Sequence, residues 1–68
     1  MDFPITGDMI RLGQLLKAAD VVSSGAEVKD LLAQDIITVN GEAENRRGRQ
    51  LTRGDVVRVA DEDEITVV

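Results

Sequence analysis

The chain has 68 residues, 43% of them hydrophobic, with eight basic side chains against thirteen acidic ones and a formal net charge of −5. That length makes one domain, close to the lower size limit for an independent core, and the apolar content argues against disorder. Cysteine and histidine are absent and no apolar run approaches the roughly 18–20 residues that cross a bilayer, which excludes disulfides, ordinary zinc sites, imidazole catalysis and a membrane-spanning helix.

Phe3 is the sole aromatic residue, so the core must be built from Leu, Ile, Val and Ala. Residues 2–5, Asp-Phe-Pro-Ile, read as a short edge strand, because proline cannot donate to a central ladder. A helix is predicted over residues 8–19. Leu12, Leu15, Leu16 and Ala19 recur at helical spacing and form one apolar stripe, and Thr6 or Asp8 is placed to serve the first amides. Gly13 lies inside this helix at a cost of about 1 kcal/mol relative to alanine. It marks either close packing of a second helix or the close approach of a ligand backbone.

A second helix is predicted over residues 24–34. Ser24-Gly25-Ala26-Glu27 has capping-box spacing, in which the serine caps the amide of Glu27 and Glu27 reaches back. Val28, Leu31 and Leu32 supply its buried face. The four-residue link, Asp20-Val21-Val22-Ser23, requires the two helices to pack as neighbours. From Ile36 the period changes to two. Ile36-Ile37-Thr38-Val39 reads as a strand, Asn40-Gly41 as a type I′ hairpin turn, and residues 42–45 as the return strand. Residues 46–53 read as a polar loop. Thr52-Arg53-Gly54-Asp55 turns the chain into a strand at 56–60, residues 61–64 connect, and a last strand occupies 65–68. Two helices followed by a small, mostly antiparallel sheet make an α+β fold.

Charge is distributed unevenly along this pattern. Residues 1–45 carry three basic and eight acidic side chains, residues 46–60 five basic and one acidic, and residues 61–68 four acidic and no basic ones. Arg46, Arg47, Arg49 and Arg53 fall within one stretch that contains no acid, and Gly48 lets the loop bend. Guanidinium groups hold phosphate through paired hydrogen bonds and stay charged, so the loop is a candidate phosphate site. The plain alternative is a solvated loop whose arginines pair with Glu42, Glu44 or the acid run 61–64. Arg11, Lys17 and Lys29 are equally readable as solvated helix charges, Ser23 and Ser24 as caps, and Asn40 as a turn residue.

Catalysis has little support. Neither serine has a recognisable base partner, and no glycine-rich phosphate loop is present. The acid run lacks the spaced ligands of a calcium loop. A helix-turn-helix reader is excluded on charge, because the second helix offers Glu27, Asp30 and then Asp35 against Lys29 alone. Arg53-Gly54-Asp55 serves as a turn before a strand rather than as an adhesion motif. No cofactor is expected. The cysteine-free composition and the acidic start, Met1-Asp2, are those expected of a soluble cytoplasmic domain.

The ordered set Ile10-Arg11-Leu12-Gly13-Gln14-Leu15-Leu16-Lys17, Ser23-Ser24-Gly25, Ile36-Ile37-Thr38-Val39-Asn40-Gly41, Glu44-Asn45-Arg46-Arg47-Gly48-Arg49 and Gly54-Asp55-Val56-Val57 resembles the RNA-binding domain first described in small-subunit ribosomal protein four, the alpha-L motif. The resemblance covers roughly residues 9–59 and is greatest to the small stand-alone bacterial members. It implies a helix pair against a short sheet that binds structured RNA, ribosomal RNA included, with the helices and the loop after Val-Asn-Gly. By position, the implied contacts are Arg11, Lys17, Lys29, Arg46, Arg47 and Arg49, with Ser24 and Asn40 as lesser polar contacts and Arg53 as a flanking phosphate contact. Gly25 and Asp35 stand where many members have arginine and glycine, and both lower the positive charge of that face.

With no aromatic platform to stack splayed bases, recognition by shape and phosphate contacts is the expected mode. The expectation is therefore a monomeric, non-catalytic RNA-binding module. Its rival is a protein-interaction module whose basic loop docks an acidic protein surface, motivated by the acidic remainder of the chain.

Overall fold

A computed structural model describes residues 1–68. In chain order the elements are β1 (Asp2–Phe3), β2 (Ile10–Arg11), α1 (Leu12–Ala18), α2 (Gly25–Ala33), β3 (Ile37–Val39), β4 (Glu42–Ala43), β5 (Gln50–Leu51), β6 (Val56–Val59) and β7 (Asp63–Val67). Five strands form one sheet in the order β1-β7-β6-β3-β4, and β2 pairs with β5 in a separate ribbon. All pairings are antiparallel except β1 with β7. The fold is α+β, two helices packed on a mostly antiparallel sheet.

The apolar periodicities converge on one core. Leu12, Leu15 and Leu16 of α1 are fully buried and meet Val28 and Leu32 of α2. The sheet contributes Ile37, Val39, Val57, Val59, Ile65 and Val67, and the ribbon contributes Leu51. Alternation along β3 and β6 sends these side chains inward and Arg58 outward, as a strand period of two requires. The Asn40-Gly41 turn has φ values of 53° and 85° and closes the pair Val39↔Glu42. Both positions therefore occupy the left-handed region that a type I′ turn demands.

Several boundaries differ from the sequence-based expectation, each for a tertiary reason. The first helix begins at Leu12 rather than residue 8, because Ile10 and Arg11 pair with Leu51 and Gln50. The polar loop over 46–53 thus contains a strand, β5. The return strand of the hairpin stops at Ala43, and β6 ends at Val59 because Ala60 turns to φ 52°. The last strand starts at Asp63, where register places Glu64 opposite Arg58 and the two side chains pair at 3.2 Å. The first strand is confined to Asp2–Phe3, at the sheet edge. No helix is long and apolar enough to cross a membrane.

Candidate functional site

The basic loop is pinned across the start of α1 by main-chain hydrogen bonds. The first amides of a helix have no carbonyl of their own helix to bond. Here the N–H of Leu12 donates to the carbonyl of Arg49 at 2.8 Å, and that of Gly13 to the carbonyl of Arg47 at 2.9 Å. The loop takes the capping role expected of Thr6 or Asp8. Within the helix start itself, Gln14 Oε1 accepts the N–H of Arg11 at 3.0 Å. The Arg11 guanidinium donates to the carbonyl of Gly48 at 2.7 Å, tying its own head to the loop.

Gly13 is explained by this docking. A Cβ at that position would lie 3.3 Å from the Arg47 carbonyl oxygen, 3.4 Å from the Arg47 Cβ and 3.4 Å from Cγ1 of Val28. The glycine lets both the second helix and the basic loop approach α1.

Glu44 organises the loop from beneath. Its side chain retains only 6% exposure. One oxygen accepts the N–H groups of Asn45 at 3.1 Å and Arg46 at 3.0 Å, together with Nε of Arg46 at 3.0 Å. The other accepts Nη2 of Arg46 at 3.1 Å and Nη1 of Arg49 at 2.8 Å. The hydrogen bonds from the Arg46 and Arg49 side chains hold the Glu44 carboxyl far below the usual carboxylate range, and Glu44 in turn raises the pKa of Arg46. Two guanidinium groups against one carboxylate leave a net positive charge, with Arg46 reaching into solvent at 71% side-chain exposure. The arginine pairing weighed as the plain alternative thus occurs at Glu44 for Arg46 and Arg49. Neither pairs with Glu42 or the acid run.

Arg11, Lys17, Lys29 and Arg47 gather around two adjoining grooves. The first, of about 180 Å³, has Arg11, Lys17 and Arg47 as its cations, with Gly13, Gly25 and Gly48 in its walls. The second, of about 310 Å³, is bordered by Lys29, Arg47, Asp35 and Asn45, with Leu32 and Ala33 as its apolar wall. Arg47 borders both. Arg11, Lys17, Lys29 and Arg47 have no carboxylate within ion-pair distance. A third groove of about 340 Å³ is rimmed by Asp20, Glu62, Asp63 and Glu64. A fourth, of about 410 Å³, is lined by Phe3, Ile5, Met9 and their neighbours, and neither of these two larger grooves has a lysine or arginine. Charge rather than size distinguishes the site.

The other sequence candidates lie within the fold's own hydrogen bonding. Ser24 caps α2, its Oγ accepting the N–H of Glu27 at 3.3 Å. Glu27 reaches back to the N–H and Oγ of Ser23, at 3.0 and 2.8 Å, and these bonds lower its pKa. Asn40 donates from Nδ2 to Asp55 at 3.0 Å and accepts the N–H of Val56 at 2.9 Å, so both ends of its amide latch the turn onto β6. Arg53 donates to the carbonyl of Ile5 at 2.9 Å. Neither Asn40 nor Arg53 lines either cationic groove. Gln14 and Asn45 are positioned at the site although sequence reasoning assigned them no role, and Glu44, weighed only as a surface partner of the arginines, is the buried brace of the loop. The one available signal was an acid two residues before the first arginine of the cluster; its burial could not be read from spacing.

Fold and charge together define a small α+β module with one cationic face, the class to which nucleic-acid-binding domains of the alpha-L kind belong. The family profile described as S4 domain matches residues 3–68. The chain belongs to the S4 domain family, whose members are generally RNA-binding modules. It is also 51% identical over 55 residues to a protein of Bacillus subtilis (strain 168) described as a probable ribosome maturation protein, RlbA; the match spans 81% of this chain and 78% of that protein.

Proposed function

We propose that the chain is a non-catalytic module that binds structured RNA by shape and phosphate contacts. Arg11, Lys17, Lys29 and Arg47 are its principal phosphate ligands, and Arg46 and Arg49 contribute as a braced pair. The observation that carries this reading is the shared position of Arg47 on two grooves whose other cations are free of carboxylate partners. Guanidinium and ammonium groups without a carboxylate partner keep their charge uncompensated for a phosphodiester backbone, and glycine walls let that backbone come close. Ser24, Asn40 and Arg53 serve mainly the fold and add secondary contacts at most.

The family and the name of the Bacillus relative favour an RNA of the maturing ribosome as the ligand, with the cytoplasm as the setting; the proposed acting unit is a monomer. The net charge of −5 limits non-specific affinity. Binding therefore depends on orientation, with the acid-rich third groove turned away from the RNA.

Titration of folded ribosomal RNA fragments at two salt concentrations tests this. Four phosphate contacts give a slope of log affinity against log salt on the order of −3. Failure to bind at low salt, or binding indifferent to Arg11→Ala, Lys29→Ala and Arg47→Ala combined, removes the reading. Binding of that loop to an acidic protein in place of RNA would establish the protein-docking alternative.

A further inference from the structure

Asp35 brings an unpaired negative charge to the border of the second cationic groove. It follows Gln34, the C-cap of α2, and has φ 56°, a left-handed conformation that glycine adopts without strain. Its carboxylate also sits at a helix C-terminus, where the helix dipole disfavours negative charge. It makes no side-chain hydrogen bond and no ion pair, although Lys29 and Arg47 border the same groove. Beside it, Asn45 gives its main-chain N–H to Glu44 and keeps its side-chain amide free. An unpaired anion at a helix C-terminus, on a face whose other charges are positive, weakens phosphate binding unless it recognises something else.

We infer that the groove bordered by Asp35, Asn45, Lys29 and Arg47 is a pocket for one unpaired guanine of an RNA already held by the cationic face. The inference rests on the RNA-binding reading above. An ionised carboxylate only accepts hydrogen bonds. Guanine alone offers two adjacent N–H donors, N1–H and the N2 amine, in register with the two oxygens of one carboxylate. Its O6 and N7 are acceptors suited to Lys29 or Arg47. Adenine and cytosine present a single exocyclic amine, and uracil a single imino N–H. Leu32 and Ala33 provide an apolar wall for the ring, and the Arg47 guanidinium plane stacks on it in place of an aromatic side chain. The groove, about 310 Å³ and open to solvent, has room for one base.

The test uses three RNA hairpins with all-uridine loops that differ at one loop position: guanosine, adenosine or inosine, the last lacking the N2 amine. The wild-type chain is expected to bind the guanosine hairpin roughly tenfold more tightly than the other two. Asp35→Gly, which suits the backbone at this position, and the isosteric Asp35→Asn should abolish that preference. Both variants should bind the adenosine and inosine hairpins at least as well as the wild type, with an undiminished denaturation midpoint for Asp35→Gly. Equal, salt-dependent binding of all three hairpins by the wild type, or a guanosine preference that survives Asp35→Gly, overturns the pocket and leaves the RNA reading intact. No binding to any hairpin at low salt overturns both.

Discussion

The main-chain N–H of Gly13 donates to the carbonyl of Arg47 across 2.9 Å, so the start of the first helix and the centre of the basic loop are one hydrogen-bonded unit. This bond satisfies an amide that the helix itself leaves open. It also fixes the residue that borders both cationic grooves. The loop is exposed yet anchored at Leu12, Gly13 and Gly48, so its charges are presented with less ordering entropy to lose on binding than a free loop would have.

Substitutions at Gly13 should separate helix propensity from this contact. Alanine gains about 1 kcal/mol of helix propensity but pushes the Arg47 carbonyl outward by a few tenths of an ångström. Gly13→Ala is expected to leave the urea midpoint nearly unchanged while weakening RNA binding. Gly13→Val adds bulk against Val28 as well and should destabilise by about 1–3 kcal/mol. An RNA affinity unaffected by Gly13→Ala would mean that the position of the loop is unimportant.

Arg47 and Arg46 should behave differently despite being neighbours. Arg47→Ala removes a cation without an internal partner, so it should lower RNA affinity and reduce the salt slope by about one contact, roughly 0.7–0.9. Arg46→Ala removes a partner of Glu44 and should lower stability, with a smaller change in slope. Parallel salt titrations and denaturant curves on the two variants decide the matter; identical slopes would contradict it.

Glu44 should be the most sensitive polar position in the chain. Its carboxylate accepts two main-chain amides and two guanidinium groups while almost wholly buried. Glu44→Ala leaves those amides short of partners and frees the loop, at a cost of about 1–3 kcal/mol, measurable as a lowered urea midpoint. RNA binding should also weaken, although the substitution makes the face more positive. Tighter binding would show that charge outweighs preorganisation.

Acid should unfold the chain through carboxylates whose folded pKa is depressed. Glu44 is lowered by Arg46 and Arg49, Asp55 by the N–H of Thr52 and the amide of Asn40, and Glu27 by Ser23. For each, the stabilisation is complete above the unfolded value, about 4.3 for Glu and 3.9 for Asp, and is lost as pH falls through the lower folded value. The urea midpoint should be flat near neutrality and decline continuously below about pH 4.5. Glu44→Gln should flatten the lower part of that decline. A midpoint independent of pH between about 5 and 2.5 would rule out the linkage.

Asn40 tests the latch between hairpin and sheet. Asn40→Gly keeps the left-handed turn but loses the bonds to Asp55 and Val56, while Asn40→Ala also places alanine at φ 53°. Costs of about 1–2 kcal/mol for glycine and about 1 kcal/mol more for alanine are expected. RNA affinity extrapolated to the fully folded chain should change little in either variant.

Local pattern in the chain was enough to specify both helices, the Asn40-Gly41 turn and the three longer strands, because period, capping and turn geometry act over a few residues. The stripe of Leu12, Leu15 and Leu16 and the alternation of Val57 and Val59 map directly onto burial. The short pairing of Ile10–Arg11 with Gln50–Leu51 was illegible. Two-residue strands carry no period, and what forms them is a partner some forty residues away. The cationic candidates were legible as residue types, but their division was not. Arg46 and Arg49 bind Glu44, Arg47 faces two grooves, and Arg53 bonds to Ile5. Composition supplied the charges; folding chose which of them meet a carboxylate and which remain free. Coulomb attraction and hydrogen bonding fall off within a few ångströms, and only the closed chain sets distances of that order.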